Sequence, residues 1–173
     1  MKAGIIVFEY ICYLGLSMIM AVLIAQFSAV MVTKMQRQAR AASSLMRLET
    51  VCVLIERILA GAPGPANSWF ISLDSSFLVW RNAGQDCTGL IYKNSKIWLY
   101  QGKFDVTNER WETAQKRAIA YGISQCKFAC QRYKATGKSG NYISHILVEL
   151  QSEDASSTVT KTIIPIFSGV VRG

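Results

Sequence analysis

The chain has 173 residues, a net charge of +8, a pI near 9.4 and a hydrophobic content of 51%. The apolar excess is concentrated near the N-terminus. Setting that stretch aside leaves about 110–140 residues, enough for one small globular domain with its own core but not for two.

From Ala3 to Thr33 the chain is apolar and carries a single charge, Glu9. The run is about twice the length of a secretory signal's apolar core, roughly 7–15 residues, and Lys34 follows without a small-residue cut site. It therefore reads as a span that stays with the protein. A carboxylate at the centre of a membrane helix costs roughly 2.5–3.5 kcal/mol, so Glu9 calls for a cationic partner. If the chain were cut after Gly4, the new α-ammonium on Ile5 would lie four residues from Glu9 on about the same helix face. It could pair within one subunit or with a neighbour one step along, and in a low-dielectric bundle that attraction is strong enough to set register.

Gln36 to Ala60 contains no Gly or Pro, and Leu45, Leu48, Cys52, Ile55 and Leu59 recur at three- and four-residue spacing. This predicts one continuous helix over 5–60, roughly 84 Å long, whose second half lays an apolar stripe on a globular domain. Gly61-Ala62-Pro63-Gly64-Pro65 ends it, with Gly available for a left-handed cap.

Downstream the pattern becomes that of strands: 69–73, 76–81, 88–92, 97–100, 120–133, 142–151 and 158–167, rich in β-branched and aromatic residues. Lys93-Asn94-Ser95-Lys96 fits a tight hairpin, Lys134–Asn141 an exposed loop and Ser152–Ser157 a polar connection. Pro165 places the last strand at an edge or ends it. Phe104–Arg117 lacks a strand period and reads as holding a short helix after Thr107. The fold class expected is α+β, a long N-terminal transmembrane helix continuing into an antiparallel β-sheet domain. The divisions are 1–4 as leader, 5–33 as membrane part, 34–60 as amphipathic part and 61–173 as globular part.

Met1-Lys2-Ala3-Gly4 followed by Ile5-Ile6-Val7-Phe8-Glu9 resembles the N-terminus of a type IV pilin or pseudopilin precursor. Leu78–Arg81, Ser95–Gln101, Ile146–Leu150 and Thr162–Ile166 look most like a J-type minor pseudopilin of type II secretion. The resemblance implies a pilin-like lollipop without enzymatic activity, cut by prepilin peptidase between Gly4 and Ile5, N-methylated at Ile5 and assembled through Glu9. It implies a bacterial inner-membrane protein with its N-terminus cytoplasmic and its C-terminal domain periplasmic. Its partners would be other pseudopilins or pilins of one filament, prepilin peptidase and membrane lipid, and its work protein export, the filament acting as a piston. A single-pass anchored binding module that is never processed, or a minor pilin for adhesion or DNA uptake, are the alternatives.

The remaining chemistry-bearing residues are sparse. His145, the only histidine, alternates with apolar residues and points to the solvent face of a strand. Cys126 and Cys130 with Cys87 do not make a zinc set, which needs four ligands at suitable spacing. In an oxidising periplasm Cys87 would pair with Cys126 or Cys130, with buried free thiols as the alternative, while Cys12 and Cys52 serve as small apolar fillers. Asp105, Asn108 and Glu109 supply three oxygens against the six to eight calcium wants. The scattered Lys and Arg residues read as a solvated surface that would also favour anionic lipid. No cofactor, metal or specific nucleic-acid partner is expected. Trp69, Phe70, Trp80, Trp98, Tyr100 and Trp111 divide between core and a partner-binding rim.

Overall fold

The computed structural model describes residues 2–63, 65–72, 75–82, 84, 86–134, 141–154 and 157–164, with the side chains of 2–5, 67, 134 and 141 excepted. The chain divides into two compact units, Met1–Ala42 and Ser43–Gly173. One helix, α1 (Lys2–Leu59), belongs to both.

In the first unit α1 exposes its apolar side chains all round, from Ile6 and Phe8 through Ile24 and Phe27. It is a candidate single membrane span by length and composition. A helix apolar on every side is stable only when lipid or protein surrounds it.

In the second unit the remaining turns of α1 bury Leu48, Val51, Cys52, Ile55 and Leu59. The expected stripe is shifted at its start: Leu45 is 41% exposed, and Ser44 is the residue that turns inward. Ser44 Oγ donates to Asp154 Oδ2 at 2.8 Å, so this end of the stripe is polar and hydrogen-bonded. The helix stops at Leu59, and Ala60 N and Ala62 N bond back to Glu56 O and Leu59 O. Gly61 is not left-handed, so the stop rests on these bonds and on Pro63 rather than on a glycine cap. Gly64 lies outside the described residues.

A short 3₁₀ turn (Ala66–Ser68) leads into an antiparallel meander in chain order. Its strands are β1 (Trp69–Ile71), β2 (Phe77–Arg81), β3 (Cys87–Lys93), β4 (Lys96–Asp105) and β5 (Arg110–Tyr121). A second antiparallel sheet follows, of β6 (Ile123–Lys134), β7 (Asn141–Ser152) and β8 (Thr158–Ile163). One core unites them: Leu48, Cys52, Ile55 and Leu59 of α1 cluster with Leu78, Trp80, Leu90 and Ile97 of the first sheet and Phe128, Ile146, Val148 and Leu150 of the second.

Two further expectations change. Phe104–Arg117 is not helical; it is the end of β4, a turn over 106–109 and the start of β5. Asp105 closes that turn by accepting from Thr107 N and Asn108 N. β5 is exposed on both faces over most of its length, which is why its composition shows no alternation. The single strand expected over 120–133 is two, separated by Gly122 at φ 66°, where the chain leaves one sheet for the other. A side chain at that φ would be strained and would meet the Arg47 guanidinium, so glycine suits the corner. His145 lies on the face of β7 away from the core, opposite exposed Gln131, and is half-buried there; a bulge at Ser144 turns Ile143 and Ile146, three residues apart, to the core instead.

The Lys93–Lys96 hairpin is present, with Asn94 and Ser95 at φ 54° and 57°. β8 is an edge strand whose described part ends at Ile163. Pro165 to Phe167, the interior of the 134–141 loop and residues 155–156 of the 152–157 connection lie outside the described residues.

Candidate functional site

Gly4, Ile5 and Glu9 all lie within α1. The 3.6-residue period puts positions 5 and 9 one turn apart on neighbouring surface. Glu9 is exposed and is the only acidic residue between Ile6 and Ala42, followed by Lys34, Arg37 and Arg40. In the uncut chain the nitrogen of Ile5 is a peptide amide, with no charge to offer Glu9. Only hydrolysis of the Gly4–Ile5 bond creates an ammonium there. That bond lies in the first turn of α1. Glycine lowers the cost of opening the first turn, being about 1 kcal/mol poorer in helices than alanine.

The five cysteines are free thiols, with Cys87 in the first sheet and Cys126 and Cys130 in the second. The expected bridge between Cys87 and either of them is not formed here. Cys126 is instead within electrostatic reach of Cys52 on α1. Burial pushes the Cys130 thiol up to about 12 and raises those of Cys126 and Cys52 as well. Thiols so protonated at neutral pH are not nucleophiles.

Asp105 is occupied within its own turn: the Asn108 side chain, then the Asn108 and Thr107 backbone amides, hold its carboxyl below the usual range. Its oxygens therefore face the protein's own donors. Among the described residues no group of three or more His, Cys, Asp or Glu is placed to hold a metal. His145 Nδ1 lies 2.9 Å from Ser144 Oγ, its sequence neighbour.

The aromatics separate cleanly by strand parity. Trp69 and Trp80 turn inward, their ring centroids 5.3 Å apart, and Trp69 Nε1 donates to Pro63 O at 2.7 Å. Phe70, Trp98, Tyr100 and Trp111 are half-buried on the opposite face of the first sheet. Phe77 and Phe104 join them, and sequence reading missed both. The signal was there: Phe77 alternates with Leu78 and lies two residues from Val79 on the same face. Tyr100 stacks on Trp111 at 5.4 Å, Phe104 meets Trp111 at 5.1 Å, and Phe70 meets Phe104 and Phe77 at 5.7 Å each.

No protein-family model matches the chain, and no curated protein matches it.

Proposed function

We propose that this chain is a structural, non-enzymatic subunit, a minor pseudopilin or minor pilin held in a bacterial inner membrane by α1 and built into a short filament or its tip. On this reading the Gly4–Ile5 bond is cut by prepilin peptidase, Ile5 is methylated, and Glu9 meets the new ammonium of Ile5 on its own or a neighbouring subunit. The β unit chooses neighbours, the J-type minor position in a type II secretion filament being the closest fit by strand pattern. The N-terminus would be cytoplasmic and the β unit periplasmic.

The observation that supports this most is the construction of α1. Its first stretch is exposed and apolar with one acidic residue near the start, and its last turns supply the core of a β unit. An anchor that only tethers gains nothing from a carboxylate at position 9, whereas an assembling helix gains register.

N-terminal sequencing of the protein recovered from its native membrane tests the cut. A chain beginning at Ile5 is expected; one beginning at Met1 overturns the reading in favour of an unprocessed anchored binding module. Glu9→Leu then tests register: crosslinks between neighbouring α1 helices should fall at least tenfold while membrane insertion is kept. Unchanged crosslinking would remove the role given to Glu9.

A further inference from the structure

We propose that the outward face of the five-stranded sheet docks a separate protein that presents an apolar strip flanked by Asp or Glu side chains. This inference stands apart from the filament reading, since it uses only the second unit.

Strand parity builds the face. Leu78 and Trp80 of β2 and Ile97 and Leu99 of β4 point into the core, so Phe77 and Val79, and Lys96, Trp98 and Tyr100, point the other way. Bulges in β5 at its Ile97/Trp98 and Lys103/Phe104 registers keep Lys116 opposite Tyr100 and Trp111 opposite Phe104. The result is a run of ring contacts from Tyr100 through Trp111 and Phe104 to Phe70 and Phe77, with Trp98 and its cations beside it, two residues from Tyr100 along β4. Lys96 Nζ and Lys116 Nζ both lie 5.9 Å from the Trp98 ring, and Lys96 Nζ lies 5.2 Å from the Tyr121 ring. Among the described residues the one ion pair joins Lys161 to Glu56, so neither Lys96 nor Lys116 has a carboxylate.

The charges choose the occupant. Two ammoniums held over rings, in a chain of net charge +8, complement an acidic surface. Trp and Tyr beside a cation are the residue types that concentrate binding energy at interface centres. A second copy docked through the same face would set Lys96 and Lys116 against their own equivalents, which repel. Single-stranded nucleic acid needs open ring faces for base stacking. Here Trp98 already lies under two ammoniums and Tyr100 is covered by Trp111, so the rings offer edges and the lysines offer charge.

The test uses the full chain in its native membrane, with the photo-crosslinker benzoylphenylalanine at position 100 and, as control, at Thr160 on exposed β8. The expected result is an adduct from position 100 with a different polypeptide, mapped by mass spectrometry to a segment bearing Asp or Glu. Lys96→Glu with Lys116→Glu should weaken it at least tenfold, and changing the partner's mapped carboxylates to lysine should restore it. Lys96→Gln with Lys116→Gln serves if the reversed pair fails to fold. Adducts with a second copy, nucleic acid or lipid, an adduct indifferent to both lysines, or none above the Thr160 control would overturn the proposal.

Discussion

Gly89 shows how one missing methyl group organises the aromatic face. A Cβ built on it would lie 2.7 Å from Trp111 Cζ2 and 2.9 Å from Val79 Cγ2, so the indole of β5 reaches across β4 to rest on bare β3 backbone. That placement has a cost, because Trp111 Nε1 is buried without a hydrogen-bond partner among the described residues, worth about 1–3 kcal/mol. The ring is half-buried, which removes roughly 75–125 Å² from water, about 2–3 kcal/mol at 25 cal/mol per Å², and this offsets that cost. Gly89→Ala is therefore expected to displace Trp111 and destabilise the second unit by about 1–3 kcal/mol through overpacking. The urea midpoint should fall with an unchanged slope, and tryptophan fluorescence should shift red in the native state. An unaltered emission spectrum would mean the indole does not rest on Gly89.

At the scale of elements, what was legible in the sequence was whatever carries a period or a punctuation mark. Leu48, Cys52, Ile55 and Leu59 announce the buried face of α1 because helical spacing is preserved wherever one side packs and the other does not. Lys93-Asn94-Ser95-Lys96 announces its hairpin because turn residues sit between two apolar runs. β5 announces nothing: both its faces are largely exposed, so Glu112 to Arg117 is polar but for Ala114. The Gly122 corner was equally hidden, since a lone glycine in a strand-like stretch looks like a bulge until two sheets are known to meet there. The candidate site divides in the same way. The pattern around Glu9 is local and falls on one helix, whereas the aromatic face, beyond the alternation at Phe77, depends on cross-strand register. The hairpin also carries a prediction. Asn94 and Ser95 both have positive φ, the conformation a two-residue turn of this hand requires. Serine there costs about 1–2 kcal/mol, which glycine avoids while giving back about 0.4–1 kcal/mol to the unfolded chain. Ser95→Gly should thus stabilise the second unit by roughly 0.5–1 kcal/mol. Ser95 O, which accepts from Ile123 N at 3.2 Å, is retained, so the gain should appear in thermal unfolding without loss of native contacts.

For the whole molecule, the two compact units make opposite demands on their surroundings. The first exposes large apolar side chains on every side of α1 and needs lipid or other helices around it. The second has its own core, but that core begins inside α1: Leu48, Ile55 and Leu59 are all 0% exposed, and Cys52 is 1% exposed. The unit of folding is therefore offset from the boundary between helix and sheets, and begins near Ser43. A chain beginning at Ser43 should stay soluble without detergent and unfold cooperatively by circular dichroism. A chain beginning at Gly61, which keeps every strand, should not. Cutting one buried Leu or Ile back to alanine costs about 2–5 kcal/mol. Removing three of them together with Val51 and Cys52 outweighs the roughly 5–15 kcal/mol by which domains of this size are stable. The sheets would also lose the cover over Trp80, Leu90 and Phe128, opening an apolar face that binds hydrophobic dyes. A cooperative transition in the 61–173 chain at the same temperature as in the 43–173 chain would show that the late turns of α1 merely rest on the sheets. Loss of that transition would show that they belong to the same folding unit.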